Sequence, residues 1–418
     1  MKIVFLKVEN FRGIRILNLK FGERMNVIAG ENGAGKSTVI DALKILLSWL
    51  IARIKNPKGR GISLQDSDIT KGEAFCLLEI GLQDGRLWRL VKQRSTERQK
   101  LAEITNFQEM TELANTIAGD YEKNPTTCKL PVFAYYGVNR SVTEVPLRLH
   151  KSHRLSPLDV YSSQLDNVVK FRTFFEWFRE REDIDNADYR YKSDYVPDKQ
   201  LAAVRRALES IMPGYGNFRV NRNPMALVLD KEGVSFNIKE LSDGEKCYFT
   251  LIADIARQLA MANPGLDNPI EGDGLVMIDE VDLHLHPQWQ SEVVNRLKAI
   301  FPNCQFVVTT HSPFVVSNVK SYEDDKFVLM RKGEAWLVPS NTYGRRIDKI
   351  LLEFFGVRNL RNDDVQKQLD IAWDCLAAGD YRSQEFNNAS EWLKSHLDAS
   401  DIEISHINLE KAKLVKFK

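Results

Sequence analysis

The sequence predicts an α/β protein with a mixed or parallel core sheet, an N-terminal antiparallel β lobe and a helical insert. Three observations predict this class. Met25-Asn26-Val27-Ile28-Ala29 is a short apolar strand that runs into Gly30-Glu31-Asn32-Gly33-Ala34-Gly35-Lys36-Ser37-Thr38, and Val39 to Leu50 is an apolar helix. That is the strand–loop–helix setting in which G-x-x-x-x-G-K-[ST] forms a phosphate-binding loop. Residues 274–278 and 304–310 are near-continuous apolar runs, the pattern of strands buried on both faces, and they end in Asp279-Glu280 and His311-Ser312-Pro313. Alternating runs pair across turns at 3–9 with 14–21 and at 74–81 with 86–93, which predicts the antiparallel lobe.

In the loop, glycines let the backbone wrap closely around phosphate oxygens, with N–H groups gathered at a helix N-terminus. Asn32, Gly33, Ala34, Gly35, Lys36, Ser37 and Thr38 are therefore the expected nucleotide contacts. Lys36 can reach the β- and γ-phosphates and Ser37 can hold Mg²⁺. Ligands of open α/β sheets lie beyond the carboxyl ends of the strands, so Lys36, Glu280 and His311 can converge on one crevice. There Asp279 would stand behind the Mg²⁺ and Glu280 would face an attacking water.

Composition narrows the class. The 418 residues are 43% hydrophobic and 28% charged, with a net charge of +1, so no global basic field points to nucleic acid. The five cysteines are scattered without a C-x-x-C pair, which fits a reducing compartment. The opening residues do not read as a signal peptide, and no window approaches ~18 uninterrupted apolar residues. The expected location is cytoplasmic, without a membrane partner.

The rest of the chain fills in the frame. Residues 51–73 read as a loop whose Arg53, Lys55, Lys58 and Arg60 are either solvated or a phosphate or DNA contact. Leu130 to Tyr136 is an apolar strand, and Arg140 after it faces either a phosphate or solvent. In the insert, Phe171, Phe174, Phe175, Trp177 and Phe178 form a stripe at helical spacing, read as core or a partner-helix surface. Arg179 to Asp183 reads as a solvated helix end, and Pro213 to Asn223 as a break before a hairpin at 227–230 and 234–237. Ser242-Asp243-Gly244-Glu245 opens an apolar helix and by itself fits a capping box. His284 and His286 with Asp282 have no third ligand in view, so a metal site there is disfavoured. A last hairpin, 326–330 with 335–338, precedes a polar helical tail. The expected divisions are 1–95 (β lobe and phosphate-loop half), 96–225 (helical insert), 226–340 (second half of the head) and 341–418 (tail).

The order of phosphate loop, Leu-Ser-x-Gly-Glu, apolar strand with Asp-Glu, Asp-Leu-His-Leu-His-Pro and strand with His-Ser-Pro resembles the ABC-type ATPases. The Val8-Glu9-Asn10-Phe11-Arg12-Gly13 opening is similar to the branch that includes RecF, SMC heads and OLD-like nucleases. The resemblance implies ATP and Mg²⁺ as ligands, with Lys36 and Ser37 on phosphate and metal. It makes Ser242, Asp243, Gly244 and Glu245 the signature presented to a second subunit. Asp279 becomes the strand carboxylate, Glu280 the general base, Asp282 the D-loop residue and His311 the switch histidine. The family also carries a glutamine that senses Mg²⁺; Gln164 is a candidate, and the 136–140 turn is the alternative. Hydrolysis in such proteins implies a head-to-head dimer or a higher even-numbered oligomer.

Within the family, the roughly 200 residues between phosphate loop and signature show no sustained heptads, so no long coiled coil is expected. Phe327 to Met330 ends in Arg331-Lys332 with no later Asp-x-Asp, so no nuclease domain of the chain's own is expected. What remains is similar to PtuA-type ATPases of Septu and retron-linked anti-phage systems, supported by Tyr343 to Ile347 and the helical tail. That resemblance implies a separate HNH-type nuclease and, in retrons, a reverse transcriptase with its msDNA or another nucleic acid. The alternative is a RecF-like ATP-dependent DNA-binding repair factor; a third reading is a nucleotide-locked scaffold with negligible turnover.

Overall fold

The computed structural model describes residues 1–95, 103–138, 156–162, 165, 171–321, 324–338, 341–398 and 400–416. The chain divides into two compact units, 1–350 and 351–418. Unit one begins with β1 (Ile3–Phe11), β2 (Ile14–Lys20), β3 (Met25–Gly30), α1 (Lys36–Lys55), β4 (Phe75–Leu82), β5 (Leu87–Gln93), α2 (Gln108–Lys123) and β6 (Val132–Tyr136). It continues with α3 (Phe171–Tyr191), α4 (Lys199–Ile211), β7 (Tyr215–Arg222), β8 (Met225–Lys231), β9 (Val234–Asn237), α5 (Asp243–Ala262) and β10 (Gly274–Ile278). Next come α6 (Pro287–Ile300), β11 (Cys304–Thr310), α7 (Pro313–Val316), β12 (Lys326–Arg331), β13 (Glu334–Leu337) and α8 (Ile347–Phe354), inside which the unit boundary falls. Among the described residues no helix is long and apolar enough to cross a membrane.

The core sheet has the order β13-β12-β3-β11-β10-β6; β13 alone runs antiparallel to its neighbour, so the sheet is mixed. Every residue of β3, β6, β10 and β11 is buried, as expected for strands covered on both faces. The two N-terminal hairpins join into one antiparallel sheet, β2-β1-β4-β5. Buried Gln305 ties that sheet to the core: it accepts the Ile3 N–H and donates to the Ile3 and Gly22 carbonyls, all at 2.7–2.8 Å. A backbone edge that would be orphaned inside the protein is thereby satisfied.

Helix α5 is buried along its whole length from Cys247 to Ala262. Phe249 meets Phe174 edge-on at 5.7 Å and Phe218 at 5.6 Å, which fixes the insert against it. The stripe Phe171, Phe174, Phe175, Trp177 and Phe178 is core. Glu182 is not solvated: it is 4% exposed, bound by Arg205 at 2.6 Å, Arg222 at 2.7 Å and the Val220 N–H at 3.0 Å. The carboxylate is buried because two guanidinium groups and a backbone donor replace its water. Residues 215–222, read as a break, form β7, paired with β8 across a register shift between Gly216 and Arg219. That bulge, with Asn217 at φ 51°, interrupts the alternation that marks a strand.

Unit two consists of the end of α8 with α9 (Asp363–Ala377), α10 (Gln384–His396) and α11 (Ile402–Lys416). Leu369, Ala372, Leu376, Phe386, Ala389, Leu393 and Ile407 form its own small core. Arg361 braces it with two bonds to Asp401, at 2.8 and 3.0 Å.

Candidate nucleotide site

The phosphate loop leaves β3 at Gly30. Its φ is +152°, and a Cβ there would lie 2.1 Å from the Met330 carbonyl oxygen, so only glycine lets β12 pair this closely. Gly35 precedes α1 in the left-handed region at φ 101°; no side chain caps the helix and its first turn holds no acidic residue. An uncapped N-terminus of this kind suits an anion, as do the exposed positions of Asn32, Gly33 and Ser37. Ala34 is buried and Thr38 half-buried. Lys36 is only 6% exposed, and its Nζ donates to the carbonyls of Gly30 at 2.9 Å and Glu31 at 3.0 Å. Two neutral carbonyls compensate a buried ammonium less well than an anion does, so these residues fit a phosphate group.

Strand β11 lies between β3 and β10, with Thr310 opposite Ala29 and Val308 opposite Ile278. The next residues of the three strands, Gly30, Asp279-Glu280 and His311, therefore emerge at the same end of the sheet. Thr309 fastens the two carboxylates: its hydroxyl donates to Asp279 Oδ1 at 2.5 Å and accepts the Glu280 N–H at 2.8 Å. Asp279 N–H also donates to the Tyr136 carbonyl at 2.8 Å, and Val281 N–H to the Thr309 carbonyl at 2.9 Å. Glu280 has φ 50°, an uncommon conformation for a residue with a side chain, held by those bonds on either side of it. One position on, Thr310 donates to Asp282 Oδ1 at 2.5 Å.

Electrostatics join these groups. Burial lowers the Lys36 ammonium below the usual lysine range, while Asp279, Glu280 and Asp282 pull it back up. His311 is lowered too, first by burial and then by Lys36, against the opposing pull of the same three carboxylates. Lys36, Asp279, Glu280, Asp282 and His311 thus share one field.

Ser242 to Glu245 form a second group. Ser242 accepts the Glu245 N–H at 3.3 Å, and Glu245 Oε2 accepts the Ser242 N–H and hydroxyl at 2.8 and 2.7 Å, a complete capping box for α5. The other carboxylate oxygen of Glu245 accepts from Tyr215, whose hydroxyl accepts from Lys231 at 2.8 Å. Burial pushes the Glu245 carboxyl up, but these hydrogen bonds outweigh it and hold the group below its usual range. Asp243 is exposed and pairs with Lys246 at 3.3 Å. A Cβ on Gly244 would lie 2.2 Å from the His284 carbonyl oxygen, so the N-terminus of α5 packs directly on the turn that follows Asp282.

Gln164 and Arg140 lie outside the described residues. His286 Nδ1 accepts the Gln288 N–H at 3.3 Å and caps α6. Sequence reasoning passed over Thr309, Thr310, Ser312, Gln290 and Tyr215. The signal available for the first two was a pair of hydroxyl side chains at the end of an otherwise apolar strand.

The fold and these residues are those of an ATPase, similar to the ABC-type ATPases of the RecF/SMC/OLD-like branch. Two family profiles match: "AAA domain" over residues 6–213 and "AAA domain, putative AbiEii toxin, Type IV TA system" over residues 139–317. Among its relatives are probable ATPases of retrons and the Septu protein PtuA. The chain is 27% identical to "Retron Ec83 probable ATPase" of Escherichia coli, over 98% of this chain and 86% of that one. It is 29% identical to "Retron Vc95 probable ATPase" of Vibrio cholerae serotype O1 biovar El Tor, over 71% of this chain and 67% of the relative. Identity to "Septu protein PtuA" of Bacillus thuringiensis is 22%, over 85% of each chain.

Proposed function

We propose that this ATPase is a head-to-head dimeric switch that controls a separate HNH-type nuclease in cytoplasmic anti-phage defence. The observation that carries the reading is the emergence of the phosphate loop, Asp279-Glu280 and His311 at one end of the sheet, in a chain similar to retron ATPases and Septu PtuA. In this reading the loop 32–38 binds ATP, and Lys36 leaves its two carbonyls for the β- and γ-phosphates. Ser37 and Asp279 would hold Mg²⁺, which supplies charge neutralisation on the phosphate oxygens. Glu280 takes the proton of the attacking water, with its carboxylate aimed by the backbone fixed at Thr309. His311, kept neutral by burial and by Lys36, orients the γ-phosphate. Ser242, Asp243, Gly244 and Glu245 are the signature offered to the ATP of the second subunit, and Asp282 belongs to the loop that faces it. Loss of the γ-phosphate loosens the clamp and so changes what the bound nuclease can reach. In a retron setting, the reverse transcriptase and its msDNA would be further partners.

The test is co-expression with an HNH-type nuclease. DNA cleavage is measured for wild type, Lys36→Ala and Glu280→Gln. Cleavage that changes with the ATP site supports the reading. Cleavage by this chain alone, or by the partner regardless of the ATP site, contradicts it. Partner-free, ATP-dependent DNA binding that weakens with salt moves the assignment to a repair clamp.

A further inference from the structure

His311 stands between two residues tied to the loop following β10, one directly and one through Gln290 of α6. On one side, Thr310 donates its only hydroxyl proton to Asp282 and accepts the Ser312 N–H at 2.9 Å. On the other side, Ser312 is 4% exposed and accepts the N–H groups of Phe314 at 3.1 Å and Val315 at 3.3 Å. Its lone pairs are spent on capping α7, which leaves one proton to place. That proton goes to Gln290 Oε1 at 2.6 Å. Gln290, at the fourth position of α6, turns its amide nitrogen the opposite way, donating to the Leu285 carbonyl at 2.8 Å and reaching the Asp282 carbonyl at 3.4 Å. Flipping the amide would set oxygen against both carbonyls and a donor against the Ser312 hydroxyl, so the orientation is fixed by its partners.

We infer that Gln290 is a positioning residue for ATP hydrolysis, which holds His311 through Ser312 against the loop 281–286 and passes movement of that loop to the histidine. The inference rests on the assignment of His311 as a site residue. Two ties bracket His311 in the chain: Thr310 bonds Asp282 directly, and Ser312 bonds Gln290, which is itself bonded to the Leu285 carbonyl of the loop. The same loop carries His284, whose carbonyl is packed against Gly244. A displacement of the α5 N-terminus, where the second subunit's ATP is proposed to bind, therefore reaches His311 through packed and hydrogen-bonded atoms.

Gln290→Met keeps the side-chain length and removes donor and acceptor together. In the full-length protein with Mg-ATP, Q290M is expected to lower kcat about tenfold or more with KM within about twofold, because it misplaces a group rather than removing a binding contact. ATP affinity and melting temperature stay near wild type. In a Ser312→Ala background the same substitution has little further effect, since the route through Ser312 is already cut. Wild-type kcat in Q290M, an undiminished loss in the S312A background, or a loss that follows melting temperature and ATP affinity overturns the inference. His311→Ala is run beside it. If H311A is slow while Q290M is fast, the inference alone fails. If H311A turns over at the wild-type rate, the assignment of His311 fails and takes the inference with it.

Discussion

Thr309→Val removes one hydroxyl from the joint between the two carboxylates and changes little else, because valine has nearly the shape of threonine. Thr309 is fully buried, so no water replaces the lost atom. Asp279, 7% exposed, loses a donor at 2.5 Å, and the Glu280 N–H loses its acceptor at 2.8 Å. A hydrogen bond to a charged group contributes about 2 kcal/mol and a neutral one about 1 kcal/mol, roughly 3 kcal/mol together. If all of it is felt in aiming Asp279 and Glu280, kcat falls by ~100-fold, at about 1.4 kcal/mol per decade. The phosphate loop lies on β3, so KM for ATP should stay within about threefold. Steady-state ATPase assays over a range of ATP, with a melting curve on the same preparation, measure both quantities. A variant that melts earlier yet keeps wild-type kcat would show that Thr309 serves the fold without aiming the carboxylates.

Three further outcomes follow from the geometry. Gly244→Ala forces the α5 N-terminus away from the His284 carbonyl, and should abolish ATP-dependent dimers in gel filtration while one chain still binds ATP. Glu182→Ala removes the anion shared by Arg205 and Arg222, and should cost about 1–3 kcal/mol, read as an earlier thermal transition, with ATP binding intact below it. The folded-state pKa of His311 lies below its ordinary value of 6.5, so the unfolded chain binds the proton more readily. The resulting penalty is absent above pH 6.5 and grows as pH falls through that value to the folded pKa, so wild type should lose stability relative to His311→Gln only in that acidic window, measured by melting temperature against pH.

The parts of the fold that could be read from the sequence are those whose pattern is local. β3, β6, β10 and β11 are short, mostly apolar runs bounded by polar or turn residues. The positions of Glu280 and His311 beyond strand ends follow from those runs, and that of Lys36 from the glycine motif after β3. What could not be read depends on distant partners. Glu182 looked solvated because its guanidinium partners come 23 and 40 residues later, on α4 and β7. β7 was hidden by Gly214, Gly216 and Asn217, which break the alternation where the strand bulges. The placement of β11 between β3 and β10 carries no local signal, and it is this order that brings Thr309 to Asp279 and Thr310 to Asp282. Gln290 and Ser312 are ordinary polar residues in the sequence; only the turn that brings them within 2.6 Å gives them a role.

In the proposed switch, ATP joins two copies of this chain. The most direct measurement is the native mass of Glu280→Gln with and without Mg-ATP, a variant expected to bind nucleotide without turning it over. A shift from one chain to two, or to a higher even number, on adding ATP is expected, and Gly244→Ala in the same background should prevent it. A particle whose mass is the same with and without ATP, although nucleotide is bound, would contradict the claim.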